Sequence, residues 1–171
     1  NSDITAASTI KAGICGHNRA VIRNCQNSGK ISGATYSGGI TAENRTGTDL
    51  PVLLIDKFAE LDLKGEIKAC QNNGEISATA DAGGITADNY IYGSVCECEN
   101  SGSVTGSIAG GIAGRSSANY STGGINFSTN RGKINADGSY SGGIVGEMIN
   151  GLIYFCDNYG DITGRGYAGG I

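Results

Sequence analysis

Cys70-Gln71-Asn72-Asn73-Gly74-Glu75-Ile76 decides the fold, because the phrase returns along the chain. It recurs as Cys25-Gln26-Asn27-Ser28-Gly29-Lys30-Ile31 and Cys98-Glu99-Asn100-Ser101-Gly102-Ser103-Val104, then as Ser128-Thr129-Asn130-Arg131-Gly132-Lys133-Ile134 and Cys156-Asp157-Asn158-Tyr159-Gly160-Asp161-Ile162. The central Asn falls at 27, 72, 100, 130 and 158, in steps of 45, 28, 30 and 28. Downstream of each copy comes a second signature, at Gly38-Gly39-Ile40, Gly83-Gly84-Ile85, Gly110-Gly111-Ile112, Gly142-Gly143-Ile144 and Gly169-Gly170-Ile171. A third apolar position precedes each copy, at Ile22, Ile67, Val95, Ile125 and Ile153.

A unit of 28 residues with three short β-branched segments cannot bury its apolar side alone, whereas stacked copies bury a continuous core. The repeat therefore predicts an all-β fold: a parallel β-solenoid with three short strands per coil, right-handed by the general crossover preference. Ile31-Ser32-Gly33, Ile76-Ser77-Ala78 and Val104-Thr105-Gly106 alternate apolar, polar and small, as a strand with one buried face does. The expected organisation is one repeat domain over residues 1–171, part of a larger protein, with a lateral loop inserted at about 45–64.

Composition agrees. There are 30 Gly among 171 residues, 1 Pro and no Trp, with 16% charged and 39% hydrophobic residues. Gly suits corners that need positive φ or close backbone approach. The net charge of −4 and scattered Lys and Arg speak against a nucleic-acid partner. Leu50 to Ile55 is the longest apolar candidate and is too short to cross a bilayer, so no membrane insertion is expected.

Stacking puts like over like. Asn27, Asn72, Asn100, Asn130 and Asn158 then form a ladder of amides bonding coil to coil; alternatively, Asn is there because it tolerates a left-handed turn. Cys25, Cys70, Cys98 and Cys156 share one position that Ser128 fills in the fourth copy, which fits a stack of small buried thiols. Disulfide spacing between neighbouring coils leaves bonding, or an adventitious metal, open. Cys96 departs from the pattern and is expected to face outward. The position before the first anchor reads Asp3, Lys30, Glu75, Ser103, Lys133, Asp161, a solvated column that controls register.

Little in the chain points to catalysis. His17 is the sole histidine; it follows an incomplete second signature at the place where later coils carry Glu43, Asp88, Arg115 and Glu147, and it is read as an exposed ladder position beside Glu43. No phosphate loop, zinc-binding helix or calcium-binding nonapeptide repeat is present, so no cofactor and no metal is expected. The inserted stretch holds Leu50, Leu53 and Leu54, then Asp56, Glu60 and Asp62. It reads either as a partner-binding loop or as a short strand and helical turn covering the side of the rod. Its carboxylates could in principle hydrolyse glycosides, but nothing fixes their separation.

Gly110-Gly111-Ile112-Ala113-Gly114 and Gly143-Ile144-Val145-Gly146, combined with the Cys-x-Asn-x-Gly-x-Ile phrase, resemble the GLUG repeat of bacterial secreted and surface proteins. Ala42 and Ala87 replace the last Gly of that signature in two coils. The resemblance implies export, cell-surface display and a place outside any catalytic domain, in adhesin-like or immunoglobulin A protease-like parents. On this reading the segment is a non-catalytic spacer or binding module, with a host protein or glycan as partner and flanking repeats of the same chain beside it. The alternatives are an accessory substrate-recognition region of such a metallopeptidase, and a polysaccharide-active β-helix enzyme.

Overall fold

The computed structural model describes residues 3–5, 8–45, 65–118 and 123–171, and every regular element among them is a β-strand. The strands pair in parallel, one coil above the next, in four ladders. Ile10–Ala12, Ile31–Gly38, Ile76–Gly83, Val104–Gly110, Ile134–Gly142 and Ile162–Gly164 make the first sheet in that order, with Tyr167–Gly169 also paired to Ile134–Gly142. The second runs through Cys15–Asn18, Thr41–Asn44, Thr86–Tyr90, Ala113–Ser117 and Val145–Asn150. Val21–Arg23, Glu66–Lys68, Ser94–Cys96, Gly124–Asn126 and Ile153–Tyr154 form the third.

The three expected strands per coil are joined by a fourth. Gln26–Asn27, Gln71–Asn72, Glu99–Asn100, Thr129–Asn130 and Asp157–Asn158 build a ladder only two residues wide. Such short strands would be marginal on backbone bonds alone; here each rung is reinforced by the Asn side chain.

The three apolar anchors stack as columns. Ile31, Ile76, Val104 and Ile134 are in register and fully buried, as are Ile67, Val95 and Ile125. Ile40, Ile85, Ile112 and Ile144 are linked by backbone bonds of 2.9–3.0 Å, and their side chains are also fully buried. At about 1.5–3 kcal/mol for each buried Ile or Val, these columns are the main favourable term holding the coils together. They divide into two clusters, one under the start of the first sheet and one between the second, third and fourth.

Corners divide the two roles expected of Gly. Where the third sheet turns into the fourth, each coil carries one residue at positive φ: Asn24 (55°), Ala69 (52°), Glu97 (55°), Phe127 (46°) and Phe155 (52°). None is Gly. A non-Gly residue there costs about 1–2 kcal/mol, offset by a backbone N–H bonded to the next coil, as in Ala69 N to Cys96 O (3.0 Å). The paired glycines instead allow close approach: a Cβ on Gly83 would lie 1.7 Å from Thr86 O, inside the bend from first sheet to second.

Candidate functional site

Two columns of side chains meet across that bend. The first sheet supplies Tyr36, Asp81, Ile108, Tyr140 and Tyr167 in register. The second supplies His17, Glu43, Asp88, Arg115 and Glu147. Arg115 joins them: its Nη1 lies 3.2 Å from Asp81 Oδ2, and its Nε donates to Glu147 Oε2 at 2.7 Å. Toward the other end, His17 Nδ1 is 3.2 Å from Glu43 Oε2, and Arg45 Nε donates to His17 Nε2 at 2.6 Å.

The middle of the seam is buried and poorly satisfied. Asp81 is only 2% exposed. Its Oδ2 accepts no hydrogen bond despite the nearby guanidinium, and neither does the buried Asp88 Oδ1. Burial first, and the Asp81 charge second, push the Asp88 carboxyl up to about 6, against the pull of Arg115. Burial also raises Asp81, opposed by Arg115. A column read from sequence as exposed is therefore half-hidden, and Asp81 went unnoticed because its neighbours in register are Tyr36 and Ile108.

The five Asn of the repeat lie in one buried or half-buried line. Asn27 Nδ2 donates to Asn72 Oδ1, Asn72 to Asn100 and Asn100 to Asn130, each at 2.8 Å, and Asn130 to Asn158 at 2.7 Å. Each Nδ2 also donates to the carbonyl of the Gly two residues on, for example Asn100 to Gly102 O at 2.8 Å. None of the five is at positive φ. A second, shorter line was missed from sequence: Asn18 donates to Asn44 Oδ1 at 2.9 Å and Asn44 to Asn89 at 3.0 Å. The signal was an Asn four residues after Ile14, Ile40 and Ile85. Later coils carry Ser116 and Met148 in that column, which obscures it.

All six cysteines are free thiols. Cys70 and Cys98 are buried, Cys25 and Cys156 half-buried, and each points its sulfur at a backbone carbonyl, as in Cys98 Sγ to Cys96 O at 3.2 Å. Cys98 is held above its ordinary value by its Cys70 partner and then by burial; burial likewise raises Cys25 and Cys156. Cys96, expected to face outward, is half-buried between Lys68 and Asn126 in register. Cys98 should resist a thiol reagent in the folded protein, with all six modified after unfolding. Rapid native labelling of Cys98 would contradict the inert stack.

Outside the core, Lys30 Nζ meets Glu75 Oε1 at 2.9 Å, and Asp3 Oδ1 accepts from Lys30 N at 2.9 Å. Such exposed pairs set register and add little energy. Phe127 and Phe155 stack with centroids 5.0 Å apart, and Tyr154 sits edge-on to both. Leu50, Leu53, Leu54, Asp56, Glu60 and Asp62 lie outside the described residues. Their flanks meet: a Cβ on Gly65 would be 2.6 Å from Arg45 O, and Asn44 Nδ2 donates to Gly65 O at 3.0 Å. Among the described residues no group of three or more His, Cys, Asp or Glu could hold a metal ion, and no helix is long and apolar enough to cross a membrane.

No protein-family profile matches the chain, the GLUG repeat included, and no curated protein matches it. One solved structure is similar, a "putative immunoglobulin A1 protease" from Bacteroides ovatus, with a TM-score of 0.66 and 20% identity. The match covers 90% of this chain and 49% of that one, so the chain spans about half the length of its structural neighbour. The shared property is the solenoid.

Proposed function

We propose that this solenoid is a non-catalytic module of an exported bacterial protein, serving as a spacer or as an adhesive surface for a host protein or glycan. The observation that carries this reading is the continuity of the four ladders, which turn a low-complexity repeat into a stiff rod with its polar chemistry engaged in holding coils together. Arg115 is occupied by Asp81 and Glu147, and His17 by Glu43 and Arg45. The name of the structural neighbour supports one refinement, an accessory substrate-recognition region within an immunoglobulin A protease-like parent.

A second reading has its own support. A half-buried carboxyl that keeps its proton into the mildly acidic range is what a general acid working there requires, and Asp88, pushed up to about 6, offers one. This favours a polysaccharide-active surface. The test is to incubate the chain with a glycan array, a polysaccharide panel and immunoglobulin A, following both retention and product release. Retention without turnover is expected of a binding module, and neither retention nor turnover of a spacer. Product release by the wild type that is lost in Asp88→Asn would replace the module reading with the enzymatic one.

A further inference from the structure

We propose that the seam between the first and second sheets is a proton-responsive clasp, in which mild acidification neutralises Asp88 and tightens the solenoid. The geometry is a charge imbalance in a confined place. Glu43, Asp81, Asp88 and Glu147 share the seam with Arg115, Arg45 and His17. Every element packed on the Asp88 strand contributes: Glu43 and the following Arg45 on one side, Arg115 on the other, and Asp81 and Tyr36 from the first sheet. Arg115 is committed to Asp81 and Glu147 by direct contacts, which leaves Asp88 Oδ1 buried with no donor.

The direction follows from linkage. The Asp88 carboxyl binds its proton more tightly when folded, at about 6 against an ordinary 3.8. Its contribution to stability is therefore complete below the unfolded value and is lost as pH rises through the folded one. Stability should climb on acidification from about pH 7.5 to about pH 5, where a chain of normal carboxylates would gain nothing. The difference between wild type and Asp88→Asn isolates the clasp, since the other titratable side chains are common to both.

Chemical denaturation across that range is the first measurement. Relative to Asp88→Asn, the wild-type unfolding constant should fall by roughly tenfold between about pH 7.5 and about pH 5. A difference that stays constant with pH overturns the proposal. Carboxyl-carbon NMR titration of the wild-type chain gives a reading that survives if the variant fails to fold. An Asp88 midpoint near 6 supports the clasp, and one in the ordinary carboxylate range removes it.

Discussion

Asn100→Ala should cost the solenoid about 3–5 kcal/mol, measured as a lower midpoint of urea unfolding followed by circular dichroism. The side chain is fully buried and makes three bonds of 2.8 Å: Nδ2 donates to Asn130 Oδ1 and Gly102 O, while Oδ1 accepts from Asn72 Nδ2. Each bond contributes about 0.5–1.5 kcal/mol net, and truncation adds the penalty for partners left without water. A void left by the lost amide adds to it. The informative comparison is Asn158→Ala. Asn158 occupies the same column with the same turn bond to Gly160 O at 3.0 Å, but it is half-buried. Water can replace its bonds there, so the loss should be nearer 1 kcal/mol. Equal losses at the two sites would mean that the line of amides contributes nothing beyond each local turn.

That contrast separates two roles that the sequence leaves tied. Asn tolerates left-handed turns and also forms ladders, so the recurrence at 27, 72, 100, 130 and 158 cannot distinguish them. Once the coils are stacked, the residue at positive φ proves to be the one preceding Cys or Ser. That column was invisible because no one residue type runs through Asn24, Ala69, Glu97, Phe127 and Phe155; the shared property is a backbone angle imposed by neighbouring coils. The apolar columns were legible for the converse reason. Burial selects Ile or Val at every coil, and stacking repeats the selection at a fixed period.

The seam lies between these cases. Glu43, Asp88, Arg115 and Glu147 could be aligned from the period, because each follows the Gly-Gly-Ile signature at the same distance. Their burial could not be foreseen, since it depends on how sharply Gly83 lets the chain fold back, and in the facing column Asp81 and Ile108 interrupt a run of Tyr36, Tyr140 and Tyr167. Periodicity reports what each coil requires in common. The Asp81–Arg115 contact joins one pair of neighbouring coils among the described residues, and a repeat pattern carries no record of it.

Gly84→Ala tests the other half of the packing, with an expected loss of about 3 kcal/mol or more in the same urea experiment. Its Cβ would stand 2.1 Å from Gly111 O and 2.3 Å from Asn100 Cγ. One obstacle is backbone of the next coil and the other is a side chain fixed by three hydrogen bonds, so neither can yield without disturbing a ladder. Gly84 has no positive φ, and the effect is steric approach alone. Gly16→Ala is the control, since its nearest contact would be Ile10 Cγ2 at an ordinary 3.7 Å. There the reduced freedom of the unfolded chain should leave stability unchanged or raised by about 0.5 kcal/mol. Because the new methyl and the Asn100 amide compete for one space, the double variant Gly84→Ala/Asn100→Ala should lose less than the two single losses combined. It should still lose more than Asn100→Ala alone, because Gly111 O remains in place. Strict additivity would show that the glycine pair and the Asn line stabilise the coil independently, contrary to the contact at 2.3 Å.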